Sequence, residues 1–332
     1  MDVSLDFIPQ RILMTGFSGF VGSHLVEGCR KRYPGTHLFG LSTGSTRRPP
    51  LSDRSDITPV AIDITDPEQV SSVIAETRPD LIFHLAAQSS VATSWADPAA
   101  TLRINALGTV YLLEALRAAH LSPRVLLVGS GEQYGPVCPE DNPITEEQPF
   151  RPVTPYGVSK ATQDLYGYQY YAAYGLPVLR VRPFNSFGPR QTDAFVIAGF
   201  AHQIARIEAR QAEPVLLVGN LQARRDFLPI GDVVQAYFAI AERGEPGCAY
   251  NVGSGRARSI REVLDLLLAA AKVEIAVRED PARMRPIDVP LAVADISRLR
   301  TTTGWEPTVN FESALRQTLD YWRETVIPLR SR

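Results

Sequence analysis

The sequence has few cysteines and no arrangement of metal ligands around them. Its only cysteines, Cys29, Cys138 and Cys248, lie far apart, and none belongs to a C-x-x-C pair. No histidines are interleaved with them at metal-ligand spacing. Three widely separated cysteines, an odd number, argue against a disulfide framework and against structural zinc, so we predict no metal site.

The chain also lacks a strong net charge and a long apolar run. It has 34 basic and 36 acidic residues, so its overall field would not attract nucleic acid or an acidic membrane, and local arginines must hold any anionic ligand. No apolar run is long enough to span a bilayer. The N-terminus, which carries Asp2 and Asp6, does not resemble a secretory signal. We therefore expect a soluble, cytoplasmic protein.

A glycine-rich turn near the N-terminus organises the chain. Apolar residues 12–14 predict a strand, Gly16, Gly19 and Gly22 follow, and a helical pattern then continues to Cys29. In a strand-turn-helix context this spacing is a dinucleotide fingerprint. The first glycine permits the tight turn, the second lets backbone approach a pyrophosphate, and the third lets the helix pack on the strand. Without that context, the same spacing also fits a turn that binds nothing.

Strand and helix patterns alternate through the first half of the chain. Strands are predicted at 37–41, 59–62, 81–85, 124–128 and 178–181, and helices at 67–77, 98–119 and 156–174. This alternation predicts an α/β fold, a doubly wound parallel sheet of the NAD(P)-binding Rossmann type with right-handed crossovers. Ligands bind beyond the carboxyl ends of such strands, where the glycine turn and Ser130 should converge. His84 has only apolar neighbours and is predicted to be a core residue.

The alternation of strand and helix patterns becomes irregular after residue 182. A loop is predicted at 183–190, helices at 195–209, 231–241, 260–271 and 311–322, and strands at 215–218 and 249–252. We interpret 332 residues as two units. Residues 1–182 with about 230–255 would bind the dinucleotide, and 183–229 with 256–332 would form a smaller α/β substrate-binding lobe.

The end of the second predicted strand bears on the choice of cofactor. Many NAD sites have an acidic residue there, whereas a nearby arginine accommodates the 2′-phosphate of NADP. This chain has Ser42 and Thr43 at that place, with Arg47 and Arg48 just beyond. The pattern favours NADP(H) and leaves NAD(H) open, because the two arginines fit a solvated loop equally well.

Tyr156 and Lys160 are spaced to share one face of a helix. A free phenol has a pKa of about 10, and we expect a neighbouring cation to lower that value and make Tyr156 a usable general acid or base. Ser130, at the end of the preceding strand, can hold a carbonyl oxygen together with Tyr156. Because these groups flank one nucleotide site, the pattern predicts hydride transfer.

Five motifs together resemble the extended short-chain dehydrogenase/reductase family over nearly the whole chain. They are Gly16-x-x-Gly19-x-x-Gly22, Asp63, Leu85-Ala86-Ala87, Ser130 and Tyr156-x-x-x-Lys160. Within that family the sequence is similar to enzymes that act on GDP-hexoses. The segments that carry this likeness are 88–91, 129–135, 182–185, 224–227 and 285–289.

The resemblance implies roles for individual residues. The implied catalytic residues are Ser130, Glu132, Tyr156 and Lys160. The implied cofactor-binding residues are Gly16, Phe17, Ser18, Gly19, Phe20, Val21, Gly22, Thr43, Arg47, Asp63, Ile64, Leu85, Ala86, Ala87, Asn105, Tyr156, Lys160 and Pro183. The implied substrate-binding residues are Ser89, Ser130, Asn185, Val196, Arg225, Arg285 and Asp288. Arginine forks suit a diphosphate, although Arg225 and Arg285 also fit surface ion pairs with Asp226 and Asp288.

The resemblance leaves two reactions open. One is the NAD(P)H-dependent reduction of the C4 ketone of GDP-4-dehydro-6-deoxy-D-mannose to GDP-D-rhamnose or its C4 epimer; the other is the GDP-mannose 4,6-dehydratase reaction. Glu132 could be the base of a dehydratase, but it also resembles the glutamate of the reductases. Phe20-Val21 and Ser130-Gly131 stand where dehydratases typically have Gln-Asp and Thr-Ser, which favours the reductase. A non-catalytic NAD(P)-sensing protein is a third reading, disfavoured by the Tyr156 and Lys160 pair.

The resemblance also implies a homodimer. The helices at 98–119 and 156–174 are similar to those through which relatives form a four-helix contact. Tyr166, Tyr170 and Tyr171 fit such a contact, and they equally fit ordinary core and surface positions.

Overall fold

The computed structural model describes residues 7–43, 57–284 and 289–326. Its strands are β1 (Arg11–Thr15), β2 (His37–Ser42), β3 (Thr58–Ala61), β4 (Leu81–His84), β5 (Arg124–Val128), β6 (Val178–Pro183), β7 (Asn185–Phe187), β8 (Val215–Val218), β9 (Arg224–Pro229), β10 (Ala249–Val252), β11 (Ala257–Ser259), β12 (Ala276–Glu279) and β13 (Leu291–Ala292). Its α-helices are α1 (Phe20–Arg32), α2 (Pro67–Thr77), α3 (Val91–Ala96), α4 (Pro98–Leu102), α5 (Gly108–Ala118), α6 (Pro155–Tyr174), α7 (Val196–Glu208), α8 (Ile230–Arg243), α9 (Ile260–Ala269), α10 (Ser297–Thr303) and α11 (Phe311–Thr325). Within these ranges no helix is long and apolar enough to cross a membrane.

A seven-stranded parallel sheet forms the larger part of the protein, with strand order β10-β6-β5-β4-β1-β2-β3. The chain runs outward from β1 to β3, then returns to β4 on the other side of β1, so the direction of winding reverses between β1 and β4. At that reversal Thr15, the last residue of β1, is paired with His84, the last residue of β4. This is a doubly wound Rossmann topology, as the sequence predicts, and its ligand crevice lies beyond that pair.

Helices cover both faces of the sheet, which explains why its central strand β4 is buried along its whole length. In β4, Phe83 packs on one face in a cluster with residues of α1 and α8, such as Leu25 and Phe238. Ile82 packs on the other face with residues of α2 and α5, such as Ile74. Each strand residue of β4 is fully buried.

The second half of the chain has an apolar core of its own. Helices α7, α9 and α11 contribute Ile204, Leu264 and Leu315 to it, and β8 contributes Leu216. Beside this core, β9 pairs antiparallel with β11 and parallel with β7 and β13, while β8 pairs with β12. The separate core supports our proposal of a smaller lobe. Trp305 packs instead against the sheet, in the cluster that holds Phe83.

Two of the differences between the structure and the sequence prediction bear on the site. The helix predicted at 98–119 is interrupted by a π-helical turn at Arg103–Leu107, which separates α4 from α5. The segment predicted as a loop at 183–190 contains β7, whose three residues pair with β9. Strands this short carry no periodic pattern of their own, and β7 pairs with residues 42 positions further along the chain.

The glycine turn is packed so closely that its glycines cannot be replaced without movement. A Cβ on Gly22 would lie 2.5 Å from the carbonyl oxygen of Gly16 and 2.6 Å from Cα of Phe17. Gly16 has φ +70°, and a Cβ there would lie 2.9 Å from the backbone nitrogen of Ala86. The first and third glycines therefore serve the roles that the fingerprint predicts, the turn and the close packing of α1 on the sheet.

We expect Gly22→Ala to lower the free energy of unfolding by about 1–3 kcal/mol, because backbone atoms must move to admit the methyl group. Urea denaturation followed by circular dichroism measures this change. Gly231→Ala is the matched control, since a Cβ on this helical glycine meets only a side-chain methyl of Val309, at 3.3 Å. Equal losses in the two variants would contradict the packing argument.

Candidate active site

A cavity of about 660 Å³ lies beyond the carboxyl ends of the strands, between the sheet and the smaller lobe. It brings together most of the residues that the sequence predicts for the site. These are Gly16, Ser18, Gly19, Phe20, Val21, Gly22, Thr43, Ile64, Leu85, Ala86, Ala87, Ser89, Ser130, Glu132, Tyr156, Lys160, Pro183, Asn185 and Val196. They come from chain segments more than a hundred residues apart, and the sheet topology is what makes them neighbours.

Four predicted residues are not part of the cavity lining. Phe17 is buried in the core beneath the glycine turn. Asp63 is exposed, and its Oδ1 accepts hydrogen bonds from the backbone nitrogen (2.9 Å) and hydroxyl (2.8 Å) of Thr65. Arg225 is half-buried and donates to the carbonyl oxygens of Arg224, at 3.0 Å, and of Val289. Three further predicted residues, Arg47, Arg285 and Asp288, lie outside the described residues.

Asn105 is the last of the four predicted residues that lie outside the cavity lining, and it supports the residues that line the cavity. It lies in the π-helical turn and is fully buried. Its Oδ1 accepts from the backbone nitrogen of Gln88 at 2.8 Å, and its Nδ2 donates to the carbonyl oxygen of Gln88 at 3.1 Å and to Oγ of Ser159 at 2.9 Å. Asn105 thereby ties the segment after β4 to α6.

Several lining residues were not predicted from the sequence. Aromatic side chains form part of the wall: Phe184, Phe187, Phe195 and Phe227 come from the proposed smaller lobe, and Tyr237 comes from α8. Gln191 also lines the cavity. Only Phe184 and Phe227 fall within the segments that carry the family likeness. A single aromatic residue carries no spacing motif, so nothing in the sequence marks Phe187, Phe195 or Tyr237 as a lining residue.

The Ser130 hydroxyl is held by a capped turn. Oγ of Ser130 accepts from the backbone nitrogen of Glu132 at 3.2 Å, and the backbone nitrogen of Ser130 donates to Oε1 of Gln133 at 3.2 Å. Gln133 is fully buried and its Nε2 donates to Asp164 at 3.1 Å. The turn that carries Ser130 and Glu132 is therefore anchored to α6.

Asp164 is the centre of a buried ion-pair cluster. Its carboxylate accepts from Nε and Nη2 of Arg182, at 2.9 and 3.0 Å, and from Nη1 of Arg180 at 2.7 Å. Burial alone raises the pKa of Asp164, but the hydrogen bonds and charges of the two arginines outweigh burial, and the pKa is lowered. Arg182 also donates to the hydroxyl of Tyr134 and to the carbonyl oxygen of Glu146. The carboxylate thus remains charged and fully paired at neutral pH.

Tyr156 enters the cavity from the first turn of α6. Thr154 caps this helix by accepting from the backbone nitrogen of Gly157 at 2.9 Å. Burial raises the pKa of the Tyr156 phenol to about 12; a hydrogen bond from Ser130 opposes this rise and the charge of Glu132 adds to it. Our expectation of a lowered pKa is wrong for the protein without a cofactor, because desolvation dominates. The phenol is therefore protonated at neutral pH.

Lys160 lies one turn further along α6 and is also buried, with 3% of its surface exposed. Its Nζ donates to the carbonyl oxygen of Val128 at 2.7 Å and to Oε1 of Gln163 at 2.8 Å. Burial lowers the pKa of Lys160 to about 7. The ammonium is thus bound by backbone and amide acceptors, and it changes charge near neutrality.

His84 is a core residue, as predicted. Its ring is fully buried, with Nδ1 2.9 Å from Oγ1 of Thr15 and Nε2 2.9 Å from Oγ1 of Thr109. Burial, with the charge of Lys160, lowers the pKa of His84 to about 3. The imidazole is neutral at every pH at which the protein would work.

The residues around the glycine turn fit a dinucleotide. No side chain caps the N-terminus of α1, whose first residues line the cavity. A Cβ on Gly19 would lie 3.1 Å from the carbonyl oxygen of Gly16, so the turn has little room for a side chain at this position. Free backbone N–H groups at a helix N-terminus are suited to a pyrophosphate. At the end of β2 the lining residues are Ser42 and Thr43, without a carboxylate to repel a 2′-phosphate.

Comparison with known proteins shows one family over nearly the whole chain. Residues 13–318 match the family model described as GDP-mannose 4,6 dehydratase. The chain is 39% identical to the GDP-6-deoxy-D-mannose reductase of Pseudomonas aeruginosa over 319 residues, which cover 96% of this chain and 99% of that protein.

Solved structures agree with the sequence comparison. The structure of RMD from Pseudomonas aeruginosa complexed with NADPH superposes with a TM-score of 0.81 at 36% identity, covering 95% of this chain and 100% of that one. The UDP-glucose 4-epimerase of Thermus thermophilus in complex with NAD superposes with a TM-score of 0.83 at 33% identity, with the same coverage.

The buried lysine predicts how stability depends on pH. In the unfolded chain Lys160 keeps its proton up to about pH 10.4, whereas in the folded protein its pKa is about 7. Between these values the unfolded state binds more protons, so the contribution of Lys160 to the free energy of unfolding rises with pH. His84, with a pKa of about 3, and Tyr156, with a pKa of about 12, keep their protonation states for most of this range.

We therefore expect the difference in unfolding free energy, wild type minus Lys160→Met, to increase by on the order of 3 kcal/mol between about pH 6 and pH 10. Denaturant titrations at several pH values measure it. Lys31→Met, at an exposed position of α1, is the control and should show no such increase. A difference for Lys160→Met that does not vary with pH would contradict the buried, shifted lysine.

Proposed function

Because this chain belongs to the GDP-mannose 4,6-dehydratase family of extended short-chain dehydrogenases/reductases, we propose that it reduces the C4 ketone of GDP-4-dehydro-6-deoxy-D-mannose with NAD(P)H. The product would be GDP-D-rhamnose or its C4 epimer. The observation that carries this proposal is the meeting of Ser130, Tyr156 and Lys160 in one cavity with the uncapped N-terminus of α1. The similarity to a GDP-6-deoxy-D-mannose reductase supports the substrate.

The chemistry divides between the cofactor and the chain. A bound nicotinamide would supply the hydride that reduces C4. Tyr156 holds the proton that the developing alkoxide requires, and its raised pKa keeps the phenol protonated until that oxygen becomes basic. Ser130 has one hydroxyl proton, which it donates to Tyr156 in the structure and would donate instead to the ketone oxygen once the sugar is bound. Lys160 would donate to the cofactor ribose and favour loss of the phenol proton.

The smaller lobe would hold the nucleotide sugar. Asn185 and Val196 line the cavity where β7 and α7 begin. Arg225, on β9, and Arg285 would bind the diphosphate, and Asp288 would bind the ribose; Arg285 and Asp288 lie outside the described residues. Arginine forks suit these phosphate oxygens better than lysine does. The aromatic wall of the cavity gives the sugar an apolar face on which to lie.

NADP(H) is the cofactor that the site favours, with NAD(H) as the second choice. One similar structure holds NADPH and another holds NAD. The absence of a carboxylate at Ser42 and Thr43 favours the phosphorylated form. A soluble, cytoplasmic enzyme remains our expectation from the sequence.

The dehydratase reaction is the alternative, and the position of Glu132 is the observation in its favour. Glu132 lines the cavity two residues from Ser130, where a base could remove the C5 proton of the sugar. A dehydratase would convert GDP-mannose alone, with only catalytic cofactor, and Glu132→Gln would abolish that conversion. A reductase would leave GDP-mannose unchanged and consume NAD(P)H only with the keto-sugar.

We expect Tyr156→Phe to lower kcat for the keto-sugar about 10²–10⁴-fold, because the general acid is lost, while NADPH binding changes little. Stopped-flow absorbance of NADPH and fluorescence titration measure the two quantities. Tyr174→Phe, at the exposed end of α6, is the matched control. Full activity of Tyr156→Phe would remove the proposed acid, and an inactive wild type would remove the proposed substrate.

A homodimer through α4, α5 and α6 is part of the proposal. Helix α6 packs on α4 and α5, and these helices with the π-turn between α4 and α5 expose large apolar side chains, among them Leu102, Leu107, Leu165, Tyr166 and Tyr171. Tyr170 is not available for such a contact, since it is 4% exposed and its hydroxyl donates to Glu114 at 2.5 Å. An exposed apolar surface of this kind is typical of a subunit interface.

We expect Leu165→Glu to convert a dimer into a monomer, because the carboxylate would be desolvated in the interface. Light scattering coupled to gel filtration measures the mass. Val273→Glu places the same charge at an exposed apolar residue outside these helices and should leave the mass unchanged. A monomeric wild type would refute the four-helix contact.

A further inference from the structure

Lys160 does not bind directly to any acidic side chain in the described part of the chain. Its two hydrogen-bond acceptors there are the carbonyl oxygen of Val128 and Oε1 of Gln163. Val128 contributes only its backbone carbonyl oxygen, which any residue at that position would provide. Gln163 contributes a side chain, so its identity can be selected, and it lies on α6 three residues after Lys160.

The orientation of the Gln163 amide is fixed by a buried chain of hydrogen bonds. Thr109 donates its only hydroxyl proton to the carbonyl oxygen of Asn105, at 2.8 Å. Its Oγ1 must therefore accept from Nε2 of Gln163, at 2.9 Å, and from Nε2 of His84, at 2.9 Å. With Nε2 bound to Thr109, Gln163 can present only its carbonyl oxygen to Lys160.

The same chain of hydrogen bonds continues from His84 to the carboxyl ends of β1 and β4. Since Nε2 of His84 carries the proton, Nδ1 accepts from the hydroxyl of Thr15 at 2.9 Å. The lone pairs of Thr15 accept from the backbone nitrogens of Leu85, at 3.1 Å, and Ala86, at 3.0 Å. The side-chain hydrogen bonds of this path therefore have fixed directions, and the path runs from the ends of β1 and β4 to the ammonium on α6.

We propose that Gln163 is a positioning residue for Lys160: its amide, locked by Thr109 and His84, fixes the ammonium beside Val128 and stabilises its charged form, and the remaining N–H is thereby directed at the cofactor ribose. Gln163 does not line the cavity, so it acts through Lys160 alone. The kinetic consequence depends on the proposed reductase function, but the effect on Lys160 itself does not.

The other ionisable groups around Lys160 do not replace this interaction. His84 on β4 is neutral, and Tyr156 on the same helix is protonated. Asp164, the next residue after Gln163, is paired with Arg180 and Arg182. Glu132 lines the same cavity, and its charge bears on Tyr156. Burial lowers the pKa of Lys160, so the loss of the neutral acceptor Gln163 should lower that pKa further.

The sequence makes a direct measurement simple, because Lys31, Lys160 and Lys272 are its only lysines. Protein labelled with ε-¹³C lysine should give three titrating NMR signals, and the one absent from Lys160→Met belongs to Lys160. We expect Gln163→Leu to lower the titration midpoint of Lys160 by about one pH unit or more, since a hydrogen bond to a charged group is lost. Gln163→Glu, which keeps an acceptor and adds charge, should raise it.

Gln169→Leu is the matched control, an exposed glutamine of the same helix, and should leave the midpoint unchanged. If Gln163→Leu does not fold, as judged by circular dichroism, the Gln163→Glu titration decides. Midpoints equal to that of the wild type in whichever Gln163 variants fold would overturn the proposal. This titration requires no turnover, so it stands even if the keto-sugar is not the substrate.

Where the wild type is active, the pH profile of kcat gives a second readout. Gln163→Leu should move the basic limb to lower pH and reduce kcat about tenfold at pH 8, with recovery towards the wild-type rate at pH 6. Gln163→Glu should restore the rate at pH 8. A loss in Gln163→Leu that is equal at every pH would indicate a general structural defect and would contradict positioning of the ammonium.

Discussion

The buried ion pair of Asp164 with Arg182 is the constraint on which the site depends. Two hydrogen bonds join the charges, and Arg180 supplies a third. Removing one partner of such a pair leaves an uncompensated buried charge, at a cost of about 3–5 kcal/mol. Through Gln133 the same carboxylate anchors the turn that carries Ser130. The pair therefore holds α6, β6 and the catalytic turn in one arrangement before any ligand is bound.

Helix α6 gathers these functions because its residues recur at four-residue spacing. Tyr156, Lys160 and Asp164 lie on one face of the helix. Tyr156 is hydrogen-bonded to Ser130, and Lys160 donates to the carbonyl oxygen of Val128 at the end of β5. Asp164 accepts from Arg182 on β6. Each contact fixes the rotation of the helix, so the acid and the ammonium are placed by the same packing that stabilises the fold.

The sequence predicts features whose signal is local or periodic. The glycine turn, the parallel sheet and the burial of His84 follow from spacing and apolar runs, and the structure confirms them. The raised pKa of Tyr156 does not follow, because burial is a property of the assembled cavity. The π-turn around Asn105 and the pairing of β7 with β9 likewise depend on partners distant in sequence. Gln163 appears in the sequence as one more polar residue on an amphipathic helix.

The core of the smaller lobe is assembled from pieces of chain on both sides of β10, and α7 packs on α11. During synthesis on the ribosome, strands β1 to β6 emerge first and can pair as they appear. Helix α7 emerges next, but the part of its apolar face that α11 covers stays exposed until α11 has been translated. The nascent protein therefore passes through a stage in which most of the dinucleotide-binding unit has formed while α7 still exposes apolar surface. A chaperone would protect the chain most at this stage.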